Sequence, residues 1–245
     1  MGTSKAYGGL KGNPNWGSLS SGVTKAVNDG HPTQKGMGNV MSRLVTHWGG
    51  SSSASSGSSK TGGRAGVATA RRFASFMGQV QADGFRNALS TLPGGDKAED
   101  ANQAIAVILD SCAQEAGTQD EVSAKAAMKD LLEDIGTDAE TLEELGDKVE
   151  EALKDYGQEE LTVRYFGFYL YEHLCTDFYE KLIKEKGIRE TESFYRDLKE
   201  YILERTKTVS KHRDLRRVDW KTDYGKSLMQ EILRDTLKAF EGYES

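Results

Sequence analysis

The spacing of apolar residues predicts α-helices along most of the chain. In the first third, one apolar stripe recurs at every third or fourth position, as residues on one face of an α-helix do. The stripe consists of Met37, Val40, Met41, Leu44, Val45 and Trp48. Gly49-Gly50 follows it directly and acts as a helix stop. The pattern predicts an amphipathic helix that docks either on the rest of this chain, which we favour, or on a partner protein.

Small residues separate this helix from the next one. Gly49 to Gly66 contains little besides Ser, Gly, Ala and Thr. Such a segment cannot bury much apolar surface, so it predicts a flexible linker. A second amphipathic helix is predicted from Val67 to about Ala82, and the turn residues Leu92-Pro93-Gly94-Gly95 then interrupt the pattern.

From Asp96 onward, three glycines are each followed by a helix start signal. The signal is a capping box, in which the first side chain and a Glu three positions later each bond a free backbone N–H group. The pairs are Asp96 with Glu99, Thr118 with Glu121 and Thr137 with Glu140. Each pair follows a glycine that can end the preceding helix. The pattern predicts consecutive helices divided at Gly95, Gly117 and Gly136.

The most apolar segment runs from Leu161 to Lys186, with apolar residues on nearly every side of the predicted helix. A helix of this kind is buried on all faces, so we expect it to be the spine of the body. The predicted fold is mainly α: a helical bundle over 96–245, preceded by a Gly/Ser-rich, largely flexible N-terminal region with short helices. That region divides into a tail, 1–30, and amphipathic helices, 31–95, with the linker at 49–66.

Charge is distributed unevenly along the chain. Residues 1–95 hold ten Lys or Arg and two Asp, whereas residues 96–245 hold 22 basic and 36 acidic residues. This split indicates a basic arm and an acidic body, which either contact different partners or pack on each other. The two cysteines, Cys112 and Cys175, fall on apolar helical faces. The sequence shows neither a leader peptide nor a run of apolar residues long enough to span a membrane. We therefore expect a reduced, cytoplasmic protein.

Motifs for catalysis or metal binding are missing from the sequence. The four histidines lack a second ligand at metal-binding spacing, and Gly225-Lys226-Ser227 lacks the earlier glycine of a phosphate loop. We therefore expect no enzymatic activity, no bound cofactor and no metal. One basic segment, Arg205–Lys221, could bind phosphates while Trp220 stacks on a base. The alternative, which we favour, is a connection between two helices whose positive charges complement the acidic surface.

The first sixteen residues contain glycines and turn residues together with two large aromatic side chains, Tyr7 and Trp16. They form no regular helix or strand pattern. If the initiator Met is removed, Gly2 provides an α-amine with a pKa of about 7.7–8.0, which is partly neutral and nucleophilic near pH 7. The segment is either a presented tail or an ordinary disordered terminus.

Several of these residues also resemble a known family. Met1-Gly2-Thr3-Ser4, Tyr7-Gly8-Gly9, Asn13-Pro14-Asn15-Trp16 and the stretch from Ser21 to Thr24 resemble the opening of the QatB family, a component of the bacterial Qat antiphage defence system. The resemblance covers about the first 50 residues. The Gly/Ser linker and the acidic helical body that follow are compatible with it.

The resemblance implies a set of partners and a role for the tail. The partners are QatC, which is similar to the ATP-using enzyme QueC, the ATPase QatA and the TatD-like nuclease QatD; ATP and zinc would belong to the QueC-like partner. It implies a non-catalytic subunit that binds QatC and presents Gly2 as the reacting terminus. Thr3 and Ser4 would enter the partner's pocket, and the approach would be held by Tyr7, Gly8, Gly9, Asn13 and Trp16. The alternatives are a nucleic-acid-binding adaptor that uses the basic arm and a purely structural scaffold.

Overall fold

A computed structural model describes residues 15–28, 33–113 and 117–242 of the protein. Within these ranges the chain forms ten α-helices, a short 3-10 helix at Gly95–Lys97 and no β-strand. The helices are α1 Trp16–Asn28, α2 Gln34–His47, α3 Gly50–Ser56, α4 Arg64–Asp83, α5 Phe85–Ser90, α6 Ala101–Cys112, α7 Gln119–Ile135, α8 Leu142–Lys186, α9 Ile188–Thr206 and α10 Asp223–Lys238. The predicted mainly α fold is confirmed. None of the described helices is both long and apolar enough to cross a membrane.

Helix α8 is the centre of the fold, and α7 and α9 pack along it. Its second half carries the apolar segment that the sequence places in the core, and the side chains of Tyr165, Phe166 and Tyr169 are fully buried. Gly157 has a φ of 73°, a left-handed value that an α-helix does not contain. The glycine therefore divides α8 into two helical runs that meet at a kink.

The three predicted capping boxes have different outcomes. Thr118 and Glu121 form the predicted box at the start of α7, where each side chain bonds the other residue's backbone N–H group. The other two predictions were wrong. Helix α6 is capped by Asp100, and α8 is capped by a box between Thr141 and Glu144.

The displaced helix starts have a common cause. Asp100 and Thr141 form an isolated antiparallel bridge, in which the Ala101 amide donates to the Glu140 carbonyl at 3.2 Å. The residues after Gly95 and after Gly136 lead to this bridge before α6 and α8 begin. The observed caps, Asp100 and Thr141, consequently lie four residues after the predicted caps, Asp96 and Thr137.

The flexible linker predicted over residues 49–66 is also wrong. Its first part forms α3, which packs against α10 and buries Ser51, Ala54 and Ser55. The Ser51 amide donates to the Glu241 carboxylate at 2.8 Å. At Gly63, a Cβ atom would lie 2.1 Å from the Ala54 carbonyl oxygen. Small residues order this segment because they allow close backbone contact.

The amphipathic stripe of α2 faces the interior of the protein. Met37, Val40, Met41, Leu44, Val45 and Trp48 are each at most 7% exposed. The structure therefore corrects the interpretation of this stripe as a partner-docking face, because the chain's own helices cover it. Helix α1 is a further correction, since it forms inside the predicted tail 1–30 and buries Leu19 and Val23.

Candidate functional site

The predicted tail meets the body at Trp16. The Trp16 ring stacks on Phe178 of α8, with centroids 4.9 Å apart and an interplanar angle of 11°. The His47 ring of α2 lies 5.6 Å from the same indole. The Asn15 side-chain amide donates to the Thr46 carbonyl at 3.1 Å. We call Asn15, Trp16, His47 and Phe178 the tail anchor, because they attach the first described residues of the chain to α2 and α8.

Helix α1 is held beside the anchor by two long basic side chains. Arg43 of α2 donates to the Ser18 carbonyl at 2.8 Å and to the Ser18 hydroxyl at 2.9 Å. Lys181 of α8 donates to the Ser20 hydroxyl at 3.0 Å. The first turn of α1 is thus bonded to two different helices, which keeps Trp16 in place.

A group of polar side chains, Asp120, Tyr169 and His173, lies at the start of α7 and the middle of α8; we call it the polar cluster. Asp120 accepts hydrogen bonds from the Tyr169 hydroxyl and from the Ala65 amide, the latter at 2.8 Å. Its Oδ1 atom also lies 3.2 Å from Nε2 of His173. The Tyr169 oxygen in turn accepts from the Gly63 amide at 2.7 Å. The cluster therefore joins α8 to the beginning of both α4 and α7.

These contacts determine the charge of Asp120. Burial raises the pKa of its carboxyl. The hydrogen bond and the electrostatic attraction of His173, together with the hydrogen bonds from Tyr169 and Ala65, nevertheless hold that pKa below its usual value. Burial and the neighbouring carboxylate raise the pKa of Tyr169 well above its ordinary value. Asp120 is consequently ionised at neutral pH, while Tyr169 keeps its proton and donates it.

The polar cluster continues directly into the tail anchor. Trp48, which follows the anchor residue His47, meets the His173 ring edge-on at 4.7 Å. Burial and, to a smaller extent, the charge of His173 lower the pKa of His47. Burial also raises the pKa of Asp177 to about 6, although His173 and a bond from Gln119 oppose this effect.

The buried position of the polar cluster limits its chemistry. His173 is 1% exposed, and Asp120 already accepts three donors from its own chain. Among the described residues, no group of three or more His, Cys, Asp or Glu side chains is arranged to hold a metal ion. The cluster is therefore suited to positioning α4, α7 and α8 beneath the tail anchor.

The residues that the sequence assigns to a partner's pocket lie mostly outside the described part of the chain. These are Gly2, Thr3, Ser4, Tyr7, Gly8, Gly9 and Asn13. Only Trp16 of that set is described, and it belongs to the tail anchor. The sequence analysis did not identify Asp120. Its one available signal is its position as an acidic residue in the first turn of α7 that the capping box does not use.

Part of the basic segment Arg205–Lys221 is paired with acidic residues of the body. Arg213 forms ion pairs with Glu159, Glu231 and Asp235, and the last two distances are 2.8 Å. Trp220 is 5% exposed, so its ring is not available to stack on a base. This corrects the proposed role of Trp220 and favours the interpretation of the segment as a connection between helices.

A family model described as "Qat anti-phage system associated protein QatB" matches residues 49–240, which is more than three quarters of the chain. No curated protein and no solved structure gives a significant match.

Proposed function

The chain belongs to the QatB family and therefore has a role in the Qat antiphage defence system, and we propose that it is a non-catalytic subunit that binds a QueC-like enzyme, QatC. In this proposal the helical body is the binding partner, and the amino end that follows Met1 is the substrate. The observation that carries the proposal is the tail anchor. A segment that is fixed at Trp16 and Asn15 starts from a defined point on the body.

The length of the tail fits this role. The fourteen residues from Gly2 to Asn15 reach at most about 45–50 Å when extended. As a loose coil they would span about 20 Å. Either distance is enough for the amino end to enter the pocket of a protein bound to the body.

The chemistry of glycine also fits. An unprotonated Gly2 amine can attack an activated carboxylate that the partner has formed with ATP, giving an amide and releasing the activating group and a proton. The absence of a side chain on Cα leaves the nitrogen unhindered. Thr3 and Ser4 would enter the pocket behind it, with Tyr7, Gly8, Gly9 and Asn13 along the approach. ATP and zinc would be bound by QatC, and QatA and QatD would be further members of the assembly.

The test is the mass of the N-terminal peptide after co-expression with QatC and an ATP supply. We expect the peptide to begin at Gly2 and to carry an added or altered mass. Gly2→Pro should abolish the change because proline presents a hindered secondary amine. Gly17→Ala is a matched control, since a Cβ at that glycine meets no atom within 4 Å. An unmodified peptide from an active, ATP-supplied complex would contradict the substrate role.

Two further measurements separate this proposal from its alternatives. A purely structural scaffold should keep its defence activity after deletion of residues 2–12, whereas a tail substrate should lose it. A nucleic-acid adaptor should retard DNA or RNA at low salt and release it steeply as salt rises. The ion pairs of Arg213 with Glu159, Glu231 and Asp235 support the expectation that it does not.

A further inference from the structure

A polar cleft opens between the turn that precedes α4 and the first turn of α7. Its volume is about 890 Å³, which is in the range of small-molecule sites. Residues 57–62, which connect α3 to α4, form one wall, and residues 118–121 form the opposite wall. The Thr61 hydroxyl, on the rim, lies 3.4 Å from the His47 carbonyl, so the cleft is close to the tail anchor. We call it the α4–α7 cleft.

Three basic side chains line the cleft: Lys60, Arg64 and Arg72. Lys60 and Arg64 are exposed, and within the described ranges neither side chain has an ion pair or a hydrogen bond. Arg72 uses one guanidinium nitrogen to bond the Cys112 carbonyl at 3.1 Å. Its other N–H groups have no acceptor in the same part of the chain. The cleft thus offers cationic donors that its own walls do not satisfy.

The two carboxylates of the cleft are bonded to groups other than these cations. Asp120 is occupied by the Tyr169 hydroxyl, His173 and the Ala65 amide. Glu121 accepts from the backbone amides of Gly117 and Thr118, at 2.9 and 2.8 Å. Both acids therefore hold helix ends in place, and neither bonds Lys60 or Arg64.

The remaining polar groups add further donors. The backbone amides of Lys60 and Gly62 donate to no acceptor in the described chain. The Thr61 hydroxyl donates to the His47 carbonyl and lies 3.2 Å from the Ser59 hydroxyl, so these two groups add no free acceptor that would compete for the cations. Donors therefore outnumber free acceptors in a space large enough for an organic molecule.

From this excess of cationic donors over free acceptors, we propose that the α4–α7 cleft binds the phosphate groups of a small phosphate ester, such as a nucleotide. Phosphate oxygens accept several charge-assisted hydrogen bonds at once, which is what Arg64, Lys60 and Arg72 offer. The organic part of the ligand would occupy the rest of the cleft. This site is separate from the presented tail and does not depend on it.

Isothermal titration calorimetry of the full-length protein with sodium triphosphate at low ionic strength tests the proposal. We expect saturable binding that Lys60→Gln/Arg64→Gln weakens by about tenfold or more, because two charged donors are lost. The control, Arg86→Gln/Lys97→Gln, removes the same charge from exposed residues outside the cleft and should leave binding within about twofold. Circular dichroism melting curves should be the same for all three proteins.

Several outcomes would overturn the assignment. The assignment fails if sodium triphosphate shows no saturable binding. It also fails if both double variants weaken triphosphate binding equally, because that result would indicate a general charge effect. Adenosine that binds as tightly as adenosine triphosphate would show that the phosphates are not recognised. Oligonucleotide binding without triphosphate binding would assign the basic side chains to a nucleic-acid surface. None of these results bears on the mass of the N-terminal peptide, so the two proposals fail separately.

Discussion

Replacing Trp16 with Ala should destabilise the folded chain by about 2 kcal/mol. A fully buried Trp or Phe costs about 3–5 kcal/mol when it is cut to Ala. Trp16 is only half-buried, so we expect about half of this cost. Within that sum, the stack on Phe178 accounts for about 0.5–1.5 kcal/mol. Trp16→Phe keeps a ring in the same place and should lose less than half as much.

Urea unfolding followed by far-ultraviolet circular dichroism measures this loss without relying on Trp fluorescence. We expect a lower midpoint for Trp16→Ala with an unchanged slope, since the core of the body is not altered. The Phe variant should fall between the wild type and the Ala variant. Phe178→Ala should not add its full effect to Trp16→Ala, because the two rings share one contact.

The same variants test whether the anchor matters for presentation. If the tail anchor directs the tail toward QatC, modification of the N-terminal peptide by QatC should be slower in Trp16→Ala than in Trp16→Phe. A Trp16→Ala protein with the wild-type urea midpoint would refute the contribution assigned to the stack. A destabilised variant that is modified at the wild-type rate would show instead that presentation does not need the anchor.

Three further predictions concern the body. Gly66→Ala should lower the free energy of unfolding in urea by about 1–3 kcal/mol, because a Cβ atom there would lie 2.6 Å from the buried Tyr169 ring. Gly78→Ala is the matched control: the nearest atom to its Cβ would lie at 4.0 Å, so this variant should be more stable by about 0.5–1 kcal/mol. Because burial raises the pKa of Asp177 to about 6, the folded chain keeps a proton that the unfolded carboxyl loses near pH 4, and stability from this group falls as pH rises between those values. Asp177→Asn should therefore gain about 2 kcal/mol over the wild type from pH 4.5 to pH 7.5. Arg213→Ala should cost about 3–5 kcal/mol in thermal unfolding because it leaves the buried Glu159 without its cation, and adding Glu159→Gln should recover part of that loss.

Local patterns predicted the helices well because the information for a helix lies within a few residues. The apolar residues of α8 follow one another, so its burial could be inferred without knowing any neighbour. The capping box of Thr118 and Glu121 was equally local. The caps of α6 and α8 were misplaced because a bridge between Asp100 and Thr141, forty-one positions apart, determines where both helices begin.

Composition misled the interpretation of residues 49–66 for a related reason. Ser- and Gly-rich segments are usually flexible because they have little apolar surface to bury. Here the lack of side chains is what allows close packing: a Cβ at Gly62 would lie 2.4 Å from the Trp48 ring. The order of the segment depends on α10 and on Trp48, and neither is visible in its own composition.

The candidate site could be predicted only in part, because its contacts join distant positions. Trp16 stood out as a large side chain in a polar segment, but nothing near it in sequence identifies Phe178 as its partner. Asp120 could be recognised as an acid near a helix start, yet its bonds to Tyr169 and His173 connect residues about fifty positions apart. Pattern analysis identifies which residues need a partner, and packing determines which partner they have.

The tail anchor joins a part of the chain that the family match covers to a part that it does not. Phe178 and the polar cluster lie inside residues 49–240, whereas Trp16 and His47 precede that range. Membership of the QatB family therefore rests on the body, and the resemblance of the first fifty residues is an independent observation. The two parts meet at several contacts, among them the Lys181–Ser20 hydrogen bond and the packing of Trp48 on His173. The stack of Trp16 on Phe178 is the contact nearest to residues 1–14. Trp16 is therefore the most direct place to separate presentation from folding.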